Sequence, residues 1–199
     1  TQYVQLLYRG MSAVVSRFGA AIVGGDTSVS PDSIVIDVTV IGQAIGNRCL
    51  TRRGARAGDV LAVTGPLGLA AAGLHSLKHG HPAPALRTAH LSPRPRVPEG
   101  QWLCGQPFAH AMIDISDGLA QDAQHIAESS RIGVNIDPAK LPVHPELQAY
   151  CEPHGLDPMA FILTGGEDYE LAFAMDGELS LINISEPTRP RSISYAVFC

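Results

Sequence analysis

Apolar and polar positions along the chain follow two periods, one typical of helices and one typical of strands. Between residues 7 and 18 the apolar side chains recur at helical spacing, which predicts an amphipathic helix that ends at Gly19. Residues 33–42 instead alternate between apolar and polar side chains, which predicts the clearest strand of the sequence. A shorter apolar strand is expected at residues 20–23. The apolar positions of the longer strand are Ile34, Ile36, Val38 and Val40.

The rest of the chain continues this alternation of strands and helices. Residues 80–100 are rich in Pro, His and Arg, and we expect them to form a connection that contains one helical turn. Strands that alternate with helices predict an α/β or α+β fold. The further predicted elements are strands at 60–64, 133–137 and 169–174 and helices around 67–77 and 146–150.

Residues 111–118 have the most unusual pattern, because a short apolar strand ends in acids and a hydroxyl and then turns into a helix. Side chains alternate across a strand, so Asp114 and Ser116 are expected on one face, with Ile113 and Ile115 in the core. Either Ser116 or Asp117 is expected to cap the helix that Gly118 opens. The apolar face of that helix comprises Leu119, Ala123 and Ile126.

Two acids crowded at a strand end need a compensating partner. Like charges ~4 Å apart repel by about 4 kcal/mol at an effective dielectric of ~20. A proton, hydrogen bonds or a cation can offset this repulsion, and Mg²⁺ prefers carboxylate and phosphate oxygens. The pattern therefore favours a magnesium site at the end of this strand.

Composition narrows the classes of partner. The chain has 199 residues, of which 45% are apolar, and this suits a packed globular core. A formal net charge of −5 gives no electrostatic support for a nucleic acid or an anionic membrane as partner. No apolar run is long enough to span a bilayer, and the separated cysteines are typical of reduced thiols in a cytoplasmic protein.

Three separated turns combine glycines and carboxylates, at residues 25–27, 114–117 and 166–168, the second of them directly before Gly118. Glycine lets backbone N–H groups approach an anion, and the carboxylates can hold cations. A basic loop at residues 47–59 adds Arg52 or Arg53 as a bidentate contact to phosphate. We expect these turns to converge on a magnesium–polyphosphate complex, so the residues alone predict a Mg²⁺-dependent phosphate-binding α/β protein.

Each of these features also has a purely structural interpretation. The first turn can be a surface turn, the acid pair a helix cap with a salt-bridged acid, and residues 165–168 a hairpin turn with solvated acids. The arginines can belong to a solvated loop. Ser116, between a strand and a helix, is also placed like the nucleophile of a serine hydrolase, but Asp114 stands where that motif requires glycine.

Four motifs occur in order along the chain, GGDT at 24–27, TRRGA with GD at 51–59, IDISDG at 113–118 and TGGEDYEL at 164–171. Together they make the sequence closely similar to the thiamine-monophosphate kinase family, within the aminoimidazole-ribonucleotide synthetase superfamily. The similarity runs from about Tyr3 to Met175. It implies a PurM-like architecture of two domains. Residues 1–46 would be the carboxyl-terminal part of the amino-terminal ATP- and magnesium-binding domain, and residues 47–176 an incomplete carboxyl-terminal domain.

The resemblance implies ATP-dependent phosphorylation of thiamine phosphate to thiamine diphosphate by direct transfer assisted by Mg²⁺. No side chain is expected to act as a nucleophile, so positioning and charge neutralisation would carry the catalysis. Three aspartates would bind Mg²⁺, namely Asp26, Asp114 and Asp117. ATP would contact Gly25, Asp26, Arg52, Ser116 and Tyr8, and thiamine phosphate would contact Glu167.

The resemblance also implies that the intact enzyme is a cytoplasmic homodimer whose partners are ATP and thiamine phosphate, with no nucleic acid and no membrane. Most of the family's amino-terminal domain has no counterpart here, so we expect the chain alone to be inactive. Residues 177–199 match nothing in the family, and we interpret them as foreign and poorly structured sequence. Residues 193–199 have the composition of a strand, but no partner for it is evident.

Two other functions fit the same residues. Another ATP-dependent enzyme of the superfamily, such as a selenophosphate synthetase or a hydrogenase-maturation dehydratase, would act on a different acceptor and lack the GGEDYEL run. A non-catalytic nucleotide-binding module would bind ATP even after Asp114→Asn, because no transferred charge has to be balanced. The kinase hypothesis predicts that this substitution weakens MgATP binding and abolishes turnover.

Overall fold

A computed structural model describes residues 2–44, 46, 48–177 and 196–198. The chain divides into two compact units, an amino-terminal unit of residues 1–43 and a carboxyl-terminal unit of residues 44–199. The helices are α1 Gln2–Ser16, α2 Leu69–His79, α3 Pro84–Leu91, α4 Val97–Cys104, α5 Leu119–Ser130, α6 Pro145–His154 and α7 Pro158–Thr164. The strands are β1 Val60–Val63, β2 Ala109–Asp114, β3 Val134–Asn135, β4 Leu171–Met175 and β5 Ala196–Phe198, and Pro138–Lys140 forms a 3-10 turn.

The amino-terminal unit contains one regular element among its described residues. The predicted helix is confirmed as α1, and Gly19 follows it in a left-handed conformation with φ 68°. The strands predicted at residues 20–23 and 33–42 are wrong, because both segments are irregular and exposed. A strand requires a neighbour that pairs with its N–H and C=O groups, and the described residues 2–43 contain no strand that could do so.

The carboxyl-terminal unit is built on an antiparallel sheet with strand order β2-β4-β1-β5-β3. The central strand β1 pairs with β4 so that Val60 lies opposite Met175 and Val63 opposite Ala172. The strands predicted at 60–64, 133–137 and 169–174 correspond to β1, β3 and β4. The antiparallel sheet with helices between its strands makes the fold α+β.

Both faces of the sheet are covered at β1 and β4, so these two strands are apolar on both sides. Leu61 and Val63 of β1 face the larger core, which α2, α5, α6 and α7 complete. Val60 and Ala62 face a smaller core with Leu103 of α4. Alternation within β4 follows the same rule, because Ala172 and Ala174 belong to the larger core and Phe173 and Met175 to the smaller one.

The expectation of a simple connection at residues 80–100 is wrong, because this segment contributes α3 and the first half of α4. Two prolines of this segment, Pro84 and Pro98, stand in the first turns of these helices, where a missing N–H group costs little. Proline likewise begins α6 and α7, and α7 has no counterpart among the predicted elements. Leu86 of α3 and Leu103 of α4 are fully buried, so both helices belong to the packed unit.

The end of the chain contributes a strand for which the sequence suggested no partner. In β5, Val197 lies opposite Val60 of β1 and Asn135 of β3, so the strand lies between these two. The remaining residues of the predicted foreign tail, 178–195 and 199, lie outside the described residues. None of the helices in the part of the chain that the structure describes is both long and apolar enough to cross a lipid bilayer.

Candidate active site

A pocket of about 410 Å³ lies in the carboxyl-terminal unit where α2 and α5 meet two of the acidic turns. Ser116 and Asp117 come from the turn after β2, and Glu167 comes from the turn before β4. These three residues were predicted from two separate motifs, and the pocket brings the two motifs together. The complete lining is Ala71, Leu74, Ser116, Asp117, Gln121, Gly166 and Glu167.

The two turns are joined by backbone hydrogen bonds. Glu167 N–H donates to Ser116 C=O at 2.9 Å, and Tyr169 N–H donates to Ile115 C=O at 2.9 Å. Ile115 N–H in turn donates to Glu170 C=O at 2.8 Å. Gly166 permits this contact, because a Cβ atom at that position would lie 2.1 Å from Ser116 O. Both turns therefore form one rigid edge of the pocket.

The turn at residues 165–169 stores backbone strain. Glu167 has φ 66° and Tyr169 has φ 51°, which is the left-handed region that residues with side chains rarely adopt. Such strain persists where surrounding contacts fix it, and it is concentrated at functional sites. The hairpin interpretation of this turn is wrong, because the segment connects α7 to β4.

Asp168 holds the amino-terminal end of α2 to this turn. Its carboxylate accepts hydrogen bonds from Gly68 N–H at 2.7 Å and Ala70 N–H at 3.1 Å. The pKa of Asp168 is raised to about 6, mainly by burial and to a smaller extent by the charge of Glu170, while the hydrogen bonds from the two N–H groups oppose the increase. The helix that supplies Ala71 to the pocket is thus positioned by the acidic turn itself.

The next acid, Glu170, is buried and anchors the start of β4. Its carboxylate pairs with the guanidinium of Arg96 and accepts a hydrogen bond from Thr64 Oγ1 at 2.6 Å. Glu167 points the other way and is about half exposed, with its Oε2 at 3.1 Å from Nδ1 of His90. Of the acids in the GGEDYEL run, Glu167 is therefore the one available to a ligand in the pocket.

The capping prediction for α5 is wrong, because Gly118 is the N-cap and no side chain caps it. Instead Asp122, inside the helix, accepts hydrogen bonds from Ser116 N–H at 3.0 Å and Asp117 N–H at 3.1 Å. Burial is the main cause that raises the pKa of Asp122, and the charges of Asp117 and Asp114 add to it. A sequence signal for this residue exists, since Asp122 lies three positions after Leu119 on the apolar face of α5.

Potential metal ligands come together beside this turn. Ligand atoms of Asp117, Asp122 and His125 all lie within 4.8 Å of one another. Carboxylate oxygens suit a hard cation such as Mg²⁺, so the donors fit the predicted ion, with an imidazole as an additional neighbour. Asp114 is exposed at the end of β2 and belongs neither to this group nor to the pocket lining.

The basic loop lies along the outer edge of the sheet. Thr51 C=O accepts a hydrogen bond from Met112 N–H of β2 at 2.9 Å, and Arg48 Nη2 donates to Ala109 C=O at 2.8 Å. The N–H group of Gly54 donates to Ser130 Oγ at 3.1 Å. Arg52 is exposed in this loop and does not line the pocket.

The remaining predicted site residues lie in the amino-terminal unit and are close to one another there. A Cβ atom at Gly25 would lie 3.3 Å from the hydroxyl oxygen of Tyr8, so α1 approaches the glycine turn. Asp26 Oδ1 accepts a hydrogen bond from Thr27 N–H at 2.8 Å, and its carboxylate is exposed. Tyr8, Gly25 and Asp26 therefore form one local cluster.

Two family models match the chain, one in each of its two units. Residues 56–181 match the AIR synthase related protein, C-terminal domain, and residues 1–44 match the AIR synthase related protein, N-terminal domain. The chain therefore belongs to the AIR synthase related family. Within the superfamily, its curated relatives include thiamine-monophosphate kinases.

The thiamine-monophosphate kinase of Aquifex aeolicus is 39% identical over 176 residues, which cover 86% of this chain and 56% of that protein. The enzyme of the same name from Mycobacterium tuberculosis is 41% identical over 173 residues, covering 86% of this chain and 51% of that one. The chain thus spans about half the length of these relatives. A solved structure described as AaThiL complexed with AMPPCP and TMP superposes with a TM-score of 0.66 at 36% identity, over 76% of this chain and 48% of that chain.

Proposed function

We propose that this chain is part of an ATP-dependent thiamine-phosphate kinase, which transfers the γ-phosphate of ATP to thiamine phosphate. The observation that supports this most directly is the pocket lined by Ser116, Asp117 and Glu167, in which two acidic turns are fixed against each other. The similarity to thiamine-monophosphate kinases over most of the chain gives the substrate class. A solved relative described as a complex with AMPPCP and TMP agrees with both substrates.

The proposed roles follow the chemistry of each group. Asp26, Asp114 and Asp117 would hold Mg²⁺, with Asp122 keeping the backbone of Asp117 in place through its hydrogen bonds. Bound Mg²⁺ supplies positive charge that neutralises the phosphate oxygens during transfer. Ser116, Gly25, Tyr8 and Arg52 would contact ATP. Because the acceptor is already an anionic phosphate, positioning and charge neutralisation suffice and no nucleophilic side chain is needed.

The residues around Glu167 in the pocket support its proposed role in binding thiamine phosphate, the phosphate acceptor. Its half-exposed carboxylate lies beside the apolar side chains of Ala71 and Leu74. A negative charge next to an apolar surface complements a cationic aromatic ring, and thiamine phosphate carries such a ring. The backbone strain at Glu167 fixes where its carboxylate can reach.

We further propose the organisation of the intact enzyme. Residues 1–46 would belong to the ATP- and magnesium-binding domain and residues 47–176 to the second domain. The family match extends to residue 181, so only residues 182–199 lie outside it. The enzyme would be a cytoplasmic homodimer that needs its complete amino-terminal domain for turnover. The large exposed apolar side chains of the amino-terminal unit, among them Ile34 and Ile36, are of the kind that interfaces cover.

Calorimetry of the chain with AMPPCP, Mg²⁺ and thiamine phosphate tests the proposal. Glu167→Gln is expected to weaken thiamine phosphate binding about tenfold and to leave AMPPCP binding unchanged. Glu152→Gln, an exposed glutamate on α6, is the matched control. Equal affinities of the wild type and Glu167→Gln for thiamine phosphate would contradict the assignment of this pocket.

Asp114→Asn separates the kinase from a non-catalytic nucleotide-binding module. The kinase proposal expects weaker binding of the Mg²⁺–AMPPCP complex, because a charged metal ligand is lost. Asp37→Asn, an exposed aspartate outside all the motifs, is the control. Unchanged nucleotide binding by Asp114→Asn would favour the non-catalytic module.

A further inference from the structure

The ion pairs of the described residues give the carboxylate of Glu167 one partner, His90 in the last turn of α3. Oε2 of Glu167 lies 3.1 Å from Nδ1 of His90, and the two side chains are 53% and 16% exposed, respectively. Glu167 lines the pocket, whereas His90 does not. The pair therefore joins a side chain that a ligand can reach to one that the protein encloses.

The helix that carries His90 is fixed against the helix that lines the pocket. A Cβ atom at Gly73 of α2 would lie 2.1 Å from the carbonyl oxygen of Leu86 and 3.0 Å from Cβ of His90, so glycine permits the close contact between α2 and α3. Leu86 is fully buried, and Nη2 of Arg87 donates to His81 C=O at 2.7 Å in the turn between the two helices. The packing of α3 on α2 thus determines where the imidazole stands.

The arginines that follow α3 pair with other carboxylates. Their ion pairs join Arg94 to Glu99, and Arg96 to both Glu99 and Glu170. A guanidinium group is always charged, whereas an imidazole can donate a hydrogen bond in its neutral form. Within the part of the chain that the structure describes, His90 is the group placed to orient the carboxylate of Glu167, and it can do so without cancelling its charge.

The contact needs a proton on Nδ1 of His90, because a carboxylate only accepts hydrogen bonds. This nitrogen is buried and has no aligned hydrogen bond among the described residues, although Oε2 of Glu167 lies within reach. Buried polar atoms are seldom left unpaired, and hydrogen bonds of unliganded sites often align only when the ligand is bound. The last torsion of a glutamate side chain is broad, so the half-exposed carboxylate is free to adjust to the imidazole.

We propose that His90 is a positioning residue, which holds the carboxylate of Glu167 in the orientation that receives the cationic ring of thiamine phosphate. This inference rests on the proposed function and adds a residue to it. The backbone of Glu167 is already fixed, since its N–H group donates to Ser116 C=O at 2.9 Å. The imidazole restricts the remaining freedom, that of the side chain, and leaves Oε1 for the ligand.

Positioning of this kind acts on affinity through order that exists before the ligand arrives. A free glutamate side chain loses rotamer freedom when a ligand orders it, and this loss weakens binding. A carboxylate already oriented by His90 loses less. Removal of the imidazole is therefore expected to weaken thiamine phosphate binding, by a smaller factor than removal of the Glu167 charge.

Calorimetric titration of the chain with thiamine phosphate, in the presence of Mg²⁺ and AMPPCP, tests the proposal. His90→Ala is expected to weaken thiamine phosphate binding about fivefold, and His90→Asn, whose amide nitrogen can stand in the place of Nδ1, to restore it to within about twofold of the wild type. The double variant His90→Ala/Glu167→Gln is expected to bind like Glu167→Gln alone. His154→Ala, which removes an exposed imidazole outside the pocket lining, is the matched control.

The outcomes separate this inference from the proposed function. If His90→Ala binds thiamine phosphate like the wild type while Glu167→Gln binds it more weakly, the role of His90 is overturned and the proposed function stands. If the two losses multiply in the double variant, His90 acts independently of Glu167 and the inference is also overturned. If Glu167→Gln itself binds like the wild type, the proposed function of the pocket fails, and the role of His90 fails with it.

Nitrogen NMR of the histidine rings tests the contact itself in the absence of thiamine phosphate. The signals of His90 are those that His90→Asn removes. In the wild type at neutral pH, Nδ1 of His90 is expected to be protonated, and its signal is expected to shift in Glu167→Gln. An unprotonated Nδ1 in the wild type would overturn the proposal whatever the binding measurements give.

Discussion

The two units of the chain carry similar sequence patterns but bury them to very different extents. In the carboxyl-terminal unit, every residue of β1 is buried between two cores. In the amino-terminal unit, the alternating residues Ile34, Ile36, Val38 and Val40 are between 53% and 87% exposed. The difference teaches that apolar alternation identifies a segment able to form a strand, while hydrogen-bonded neighbours decide whether it does.

The acidic turns show the same contrast. The turns after β2 and before β4 are fixed to each other by the backbone of Ser116 and Glu167 and by the buried carboxylate of Asp122. The turn at Asp26 is exposed, and its carboxylate bonds only to the adjacent Thr27 N–H among the described contacts. Similar motifs thus differ in how firmly the surrounding fold holds them.

A matched pair of isoleucine substitutions, one in each unit, is expected to show the largest difference in stability between the two units. Ile126→Ala removes a fully buried side chain from the larger core and is expected to lower the free energy of unfolding by about 3 kcal/mol. Ile36→Ala removes a side chain that is 53% exposed and is expected to change it by less than about 0.5 kcal/mol. Urea unfolding followed by circular dichroism measures both. Equal losses would mean that Ile36 is buried in solution.

The pH dependence of stability should come from a buried acid of the carboxyl-terminal unit. The pKa of Asp168 is raised to about 6, so between ~pH 4 and ~pH 6 the folded chain holds a proton that the unfolded chain releases. Its stabilising contribution is complete below ~pH 4 and is lost as the pH rises through about 6, by at most about 3 kcal/mol.

Asp168→Asn tests this dependence, because the amide still offers an oxygen to Gly68 and Ala70 but cannot titrate. The free energy of unfolding of the variant, measured by urea unfolding at several pH values, is expected to fall less steeply from pH ~4 to ~6 than that of the wild type. The same slope in both proteins would show that Asp168 is not the group responsible.

A smaller effect is expected from two aspartates that accept backbone hydrogen bonds in the two units. Asp122→Ala leaves the N–H groups of Ser116 and Asp117 without their acceptor and is expected to cost about 2 kcal/mol. Asp26→Ala removes an exposed contact to Thr27 and is expected to cost less than about 0.5 kcal/mol. Thermal unfolding compares them, and an Asp26→Ala loss as large as that of Asp122→Ala would contradict the contrast between the turns.

The smallest effect on stability is expected at a proposed metal ligand. Asp117 is exposed, so Asp117→Asn should change the free energy of unfolding by less than about 0.5 kcal/mol while weakening the binding of Mg²⁺–AMPPCP. Asp37→Asn is the control for both measurements. If Asp117→Asn unfolds more easily and binds the nucleotide normally, its carboxylate has a structural role instead.

The sequence predicted those helices and strands that are recognisable from the spacing of neighbouring apolar residues. The apolar spacing of Leu119, Ala123 and Ile126 identified α5, and these three side chains are buried. The helices α3 and α4 were missed because proline at a helix start looks like proline in a loop. The number and order of strands in the sheet depend on long-range pairing, which periodicity does not contain.

The residues of the candidate site that stand in motifs were predicted from the sequence, whereas the contacts between distant parts of the chain were not. Ser116, Asp117 and Glu167 stand in recognisable motifs, and the structure brings them to one pocket. The contact between the two turns depends on hydrogen bonds between residues far apart in sequence, so no local pattern reveals it. Asp122 and His90 lie outside the motifs. The position of Asp122 on the apolar face of α5 is a sequence signal, but its contact with Asp117 and that of His90 with Glu167 are visible only in the structure.

The close approach of Gly166 to the carbonyl group of Ser116 has a consequence for protein engineering. A graft of this pocket onto another scaffold would have to carry the turn after β2 and the turn before β4 together, because the conformation of each turn depends on its backbone contacts with the other. A change in the length of one of these two turns would also require a matching change in the other.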